Sequence, residues 1–233
     1  MNGGDDFTRP TTGFWQALLP RDSGAGPHAP PYRFGYPAQL PDGRTLVLPI
    51  RKVAGKPGHA VASLIANQAS FAVVRVLAGM MTDLAGPLGG TVIVGLPTLG
   101  MVFAPLVAEA LGHQRYVPMG YSRKFWYDQA LSVPVNSLTT PDQSKRIYLD
   151  PNQRTLIEGA RVIVIDDAVS TGATVAAVIG LLQELGAQVA GVVVAMRQGG
   201  AWRTRLGPLW SPLVHGVFDS PRLVLREDGW WPE

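Results

Sequence analysis

The sequence predicts an α/β fold: a parallel sheet flanked by helices, with chain ends of a different, irregular character. Three observations predict it. Two stretches, 91–112 and 161–186, each read as a short aliphatic strand, a tight small-residue turn and an amphipathic helix closed by glycine. Further aliphatic strands at 115–119, 147–149 and 188–196 alternate with helical or irregular segments, the pattern of a parallel sheet. Both chain ends, by contrast, are broken by proline and glycine.

The second of those stretches organises the rest. Residues 162–165 are V-I-V-I, a β-branched run suited to a strand buried on both faces. The acidic pair Asp166 and Asp167 follows, then the turn Ala168 to Ala173. Val175, Val178, Ile179, Leu182 and Leu185 share one helix face, and Gly186 stops the helix. Ligands of parallel sheets lie beyond the carboxyl ends of the strands, where a turn opening a helix presents unpaired N–H groups. Ser170, Thr171 and Thr174 add hydroxyls, and Gly172 lets the backbone approach an anion. This is a phosphate cradle, but neither the lysine-containing P-loop nor the dinucleotide glycine pattern. An acidic pair directly before it suits a sugar phosphate whose vicinal hydroxyls the carboxylates accept.

Residues 162–174 resemble the phosphoribosyl pyrophosphate (PRPP) signature of the type I phosphoribosyltransferases. The resemblance, covering roughly residues 91–196, implies that Asp166 and Asp167 hold the ribose hydroxyls. It also implies that Ala168, Ser170, Thr171, Gly172, Ala173 and Thr174 hold the 5-phosphate. The activity it implies is transfer of ribose 5-phosphate from PRPP to a nucleobase, a purine being favoured, with Mg²⁺ as cofactor and no confidently assigned protein ligand for it. A PRPP-binding regulator without turnover is the alternative.

Taken in order, residues 1–43 read as an irregular, partly disordered arm in which Phe14, Trp15, Leu18 and Leu19 form a docking turn. Residues 44–200 read as the core and 201–233 as a tail; the resemblance implies a type I phosphoribosyltransferase-like sheet with a small hood from the chain ends, built from this tail, the N-terminal arm or both. Thr45 to Ile50 reads as an edge strand because of Pro49, and residues 60–84 as one long helix ended by Gly86-Pro87. Within that helix, Asn67 of S-L-I-A-N-Q resembles a base-proximal asparagine of xanthine phosphoribosyltransferases.

The turn Thr98-Leu99-Gly100 resembles the pyrophosphate loop of the same family, with Leu99 where adenine enzymes carry arginine. Residues 120–144 show no clear periodicity and read as a long closing loop. On it Arg123 and Lys124, with Lys145 beyond, are expected to supply the missing charge to pyrophosphate, and Tyr127 to approach the base. The Y-x-L-E-Y-G segment of adenine enzymes is absent, and Ser170 replaces the aspartate typical of hypoxanthine-guanine enzymes. In the tail, Trp230 and Trp231 read as a terminal clasp.

Composition narrows the classes further. Twenty Lys+Arg against 17 Asp+Glu give a net charge of +3 without a basic run, so nucleic acid is not an expected partner. There are no cysteines, and the four histidines lack metal spacing. No secretory leader or bilayer-length apolar run is read, so no membrane partner is expected. A cytoplasmic homodimer acting on PRPP and a nucleobase is the expectation.

Overall fold

The computed structural model describes residues 12–21, 29–137 and 140–233. Its strands are β1 (Gly35–Gln39), β2 (Thr45–Lys52), β3 (His59–Ala62), β4 (Val92–Gly95), β5 (Val117–Gly120), β6 (Ser132–Ser137), β7 (Thr140–Leu149), β8 (Arg161–Val169), β9 (Gln188–Gln198), β10 (Val214–Ser220), β11 (Arg222–Arg226) and β12 (Gly229–Pro232). The helices are α1 (Phe71–Ala85), α2 (Ala104–Ala110), α3 (Arg154–Ile157), α4 (Ala173–Glu184) and α5 (Ala201–Trp210).

Seven strands form the main sheet in the order β10-β9-β8-β4-β5-β7-β6. The five from β10 to β5 are parallel, and the β6–β7 hairpin adds antiparallel at one edge. The aliphatic run of β8 is explained by burial on two sides. Ile163 and Ile165 enter one apolar cluster with Val73, Leu77 and Met81 of α1 and Val107 of α2. Val162 and Val164 enter the other with Val175, Val178 and Leu182 of α4. Alternating residues of one strand thus serve two cores.

The second sheet, β1-β2-β3-β11-β12, is antiparallel and joins both chain ends. It is tied to the main sheet by the buried Gln198 amide, which donates to the Ala62 carbonyl at 2.7 Å. The tail is therefore divided: β10 completes the main sheet, and β11 and β12 join the small one. Trp230 is buried and exchanges backbone hydrogen bonds with Tyr32, as a terminal clasp would. Trp15 docks as well, its indole N–H donating to the Ser63 carbonyl at 2.9 Å. Part of the arm expected to be irregular over residues 1–43 is regular, since β1 lies within it; residues 1–11 and 22–28 lie outside the described residues.

Three sequence expectations are corrected, and one helix is added. The helix over 60–84 begins only at Phe71; Ala60 and Ala62 instead alternate inward on β3, a strand set by pairing with β2 and with the distant β11. β2 is an inner strand, because its ladder with β3 starts at Ile50 and spares Pro49. Strands β6 and β7 pair as a hairpin whose base is buried through Leu131, Val135 and Ile147; Pro134 and the polar stretch of β7 hide the strand period. Helix α5 escaped notice because Gly207 (φ 63°, ψ −173°) and Pro208 break its pattern.

Ser70 caps α1, its hydroxyl accepting from the Val73 amide at 3.2 Å. Ser70→Ala should lower unfolding stability by about 1 kcal/mol, read as a shifted urea midpoint. The 18-residue apolar stretch Phe71–Leu88 meets the length and composition of a membrane span. One face of it, Val73, Leu77, Ala78 and Met81, is buried in the core cluster.

Candidate active site

The two turns predicted to bind phosphates meet at one edge of the sheet. β4 and β8 are parallel neighbours, with Gly95 opposite Ile165, so β4 ends beside the residue that precedes the acidic pair. The turn after β4 then folds onto the acidic pair. A Cβ placed on Gly100 would lie 2.8 Å from both Asp166 Cα and the Ile165 carbonyl oxygen, and 2.9 Å from Asp166 Oδ1. Only glycine permits this approach.

Strand β8 continues through the pair to Val169, so the carboxylates project from its last residues. Asp166 is 7% exposed and accepts from the Asp167 amide at 2.9 Å. Burial, then the neighbouring carboxylate, raise the Asp166 pKa well above the ordinary range. Burial also raises Asp167, to about 6. The pair therefore holds less than its full charge near neutral pH unless something compensates it.

Gly172 adopts φ 75° before α4, which has no side-chain cap. The Thr171 hydroxyl accepts only a long bond, 3.4 Å, from the Ala173 amide. The Ser170 hydroxyl is buried without a partner among the described residues. An uncapped helix start and an unpartnered hydroxyl are the features a phosphate satisfies. Trp202 of α5 braces the turn: its Cα lies 3.2 Å from where a Gly172 Cβ would be.

The other candidate residues are placed as follows. Thr98 is exposed at the first turn, whereas Leu99 packs at the rim of the core. Asn67 is exposed on a short 3-10 turn, Ala66–Gln68, that packs against the turn Leu99–Val102. Lys145 lies over the Tyr121 ring, with Nζ 5.6 Å from its centroid. Tyr121 directly follows β5, and its pKa is raised by burial and by the charges of Asp166 and Asp167. Sequence reasoning missed Tyr121, although its position just past a parallel strand was the available signal. Arg146 is spent inside the hairpin, donating to the Ser132 hydroxyl and carbonyl.

Arg123 and Lys124 are exposed in the segment after Tyr121, beside Phe125, which is 97% exposed. Tyr127 points elsewhere: it packs against Tyr148, and burial and then the Asp150 charge raise its pKa. It anchors the segment rather than joining the acidic pair. The hairpin base is buried, and residues 121–130 ahead of it are mostly exposed. Tryptic cleavage after Arg123 or Lys124 should slow severalfold when PRPP and Mg²⁺ are added. Equal rates with and without them would show that the segment does not respond to ligand.

Among the described residues no cluster of three or more His, Cys, Asp or Glu is arranged to hold a metal ion. The carboxylate pair suits a divalent cation that arrives with a phosphate ligand and keeps much of its water.

Two strand–turn–helix units with adjoining turns make this the framework of a phosphate-binding α/β protein. Residues 60–210 match the phosphoribosyl transferase domain. The adenine phosphoribosyltransferase of Streptomyces coelicolor is 31% identical over 168 residues, covering 68% of this chain and 85% of the relative. HGPRTase-like protein 2 of Haloferax volcanii is 37% identical over 94 residues, 40% of this chain and about half (49%) of the relative. The structure of the Giardia lamblia APRTase complexed with 9-deazaadenine shares the fold at TM-score 0.59 and 18% identity, over 74% of this chain and 93% of that one. The chain belongs to the phosphoribosyltransferase family, as the resemblance implied.

Proposed function

We propose that the protein transfers ribose 5-phosphate from PRPP to a nucleobase, a purine by analogy with its named relatives, and releases pyrophosphate. The observation that carries this reading is the contact of Gly100 with Asp166, which joins the two turns into one site. Asp166 and Asp167 orient the ribose, and Ser170 to Thr174 hold the 5-phosphate. Thr98 to Gly100, Lys145 and, on closure, Arg123 and Lys124 face pyrophosphate. A ring nitrogen of the base forms the bond to C1 as the C1–O bond breaks. The bonding pair leaves with pyrophosphate, and the proton on nitrogen passes to solvent. The transition state resembles an oxocarbenium ion, so the protein's task is positioning and stabilisation of the leaving charge. Bound Mg²⁺ would offset charge on the pyrophosphate beside the Asp166–Asp167 pair.

A cytoplasmic homodimer without nucleic-acid or membrane partners belongs to the same reading, and light scattering at micromolar concentration tests the dimer. Leu99, apolar and packed at the core rim, favours a second reading, a PRPP-binding regulator. Pyrophosphate release, followed with PRPP, Mg²⁺ and a panel of purines and pyrimidines, separates the two. Release with one base supports the transferase; PRPP binding with no release from any base supports the regulator.

A further inference from the structure

At the same edge of the main sheet as the acidic pair, a cleft of about 450 Å³ opens between the ends of β9 and β10 and the small sheet. Strand register fixes its place. Val169 of β8 lies beside Arg197 of β9, and Arg197 beside Asp219 of β10. With strands about 4.8 Å apart, the cleft begins one strand away from the phosphate turn. Its volume suits one planar heterocycle held among a few polar groups.

The polar groups are mostly donors. Ser220 is 2% exposed, and its hydroxyl oxygen is buried without a partner among the described residues. Tyr36 lines the same space. Burial, then Tyr32 and Asp219, push its pKa to about 12, so it keeps its proton at neutral pH. The Arg222 stem crosses Gly199, its Cγ 3.2 Å from where a Cβ would stand, and its guanidinium has no ion pair among the described residues. Arg203 lies over the Trp202 indole, 4.3 Å from the ring centroid.

The acidic groups are less available. Both Asp219 oxygens are held by Arg197, at 2.7 and 2.9 Å. Glu233 sits at the rim with its side chain 48% exposed, 4.0 Å from His59. Apart from Glu233 at the rim, the polar side chains lining the cleft are hydroxyls and guanidinium groups, and Asp219 is already paired with Arg197.

Resting on the transferase reading, we propose that this cleft is the acceptor site and selects a heterocycle bearing carbonyl or carboxylate oxygens, with Ser220 and Arg222 as specificity-determining residues. Such a base accepts from the unpartnered Ser220 hydroxyl and from Arg222. An amino group at the same place sets donor against donor and leaves both unpaired. A site built on hydrogen bonds rejects the wrong partner more strongly than an apolar one does. Acidic ring N–H groups of oxo-heterocycles also ionise readily in water, which suits a site whose nearest hydroxyls, Ser170 and Ser220, are not bases at neutral pH.

Xanthine and adenine, equal in ring size and opposite in substituents, are the probes. Calorimetric titration of each into the full-length protein with Mg²⁺ and ribose 5-phosphate should show xanthine binding about thirtyfold to a hundredfold more tightly. Arg222→Ala should bring the two within about threefold, and Ser220→Ala, a change too small to disturb folding, should narrow the ratio in the same direction. Adenine binding as tightly as xanthine, or failure of both to bind, overturns the inference. Pyrophosphate release with adenine but not xanthine overturns it too, while leaving the transferase reading intact. Preferential xanthine binding without pyrophosphate release from any base supports the cleft and removes the transferase reading instead.

Discussion

Replacing both carboxylates, Asp166→Asn with Asp167→Asn, should weaken PRPP binding on the order of a hundredfold while making the free protein more stable at pH 8. The loss follows from exchanging two charged acceptors for neutral ones, each charged hydrogen bond being worth about 1.5–3 kcal/mol. The stability gain follows from the raised pKa values. Burial lifts Asp167 from 3.8 to about 6 and Asp166 upward as well, so the folded protein binds protons more tightly than the unfolded chain does. Folding stability therefore falls as pH rises from about 4 through 6. Asparagine has no proton to lose and escapes that penalty, which reaches about 2–3 kcal/mol for Asp167. At pH 8 the double variant should melt about 4–8 °C above the parent, and near pH 3.5 the two should converge. A variant that melts lower at pH 8 would show that the carboxylates stabilise the fold and that their burial is not a cost accepted for ligand.

The second large effect belongs to Gly100. An alanine there places Cβ 2.8 Å from two backbone atoms of β8, which cannot swing aside as a side chain could. The turn must lift away from Asp166. Overpacking of this kind costs about 1–3 kcal/mol, and displacement of about 1 Å at a reacting centre can cost a hundredfold in rate. Gly100→Ala should therefore reduce both the melting temperature and PRPP-dependent turnover. Gly79→Ala provides the control. That glycine lies within α1 with nothing within 4 Å of its would-be Cβ, so alanine should stabilise the protein by about 0.5–1 kcal/mol and leave turnover alone. Equal effects of the two substitutions would contradict the close approach of the turns.

The local chemistry of the site could be read directly from the sequence. The run 162–165, the acidic pair, Gly172 and the helix face ending at Gly186 lie consecutively in the chain, and each residue type has one structural meaning there. The contact of Gly100 with Asp166 could be expected only in outline, because it depends on β4 pairing with β8 across some 70 residues. The small sheet was less legible still. His59 to Ala62 is too short to show a period, and its strand character comes from β11, more than 150 residues later. Tyr121, Ser220 and Arg222 were missed for the same reason: Tyr121 follows β5, Ser220 ends β10 and Arg222 opens β11, and at strand ends exposure and packing, not pattern, determine what a side chain faces. Tyr127 was placed near the base on type alone, and its packing against Tyr148 and the nearby Asp150 charge were not visible in the chain.

The central claim is that two adjoining turns hold the two halves of one PRPP molecule. It is tested most directly by titrating Mg²⁺–pyrophosphate into protein already saturated with ribose 5-phosphate. The account predicts that both bind together, that each is displaced by PRPP, and that Gly100→Ala weakens the pyrophosphate half more than the ribose half. Mutual exclusion of pyrophosphate and ribose 5-phosphate would contradict it, because a single shared phosphate site would then account for all the binding.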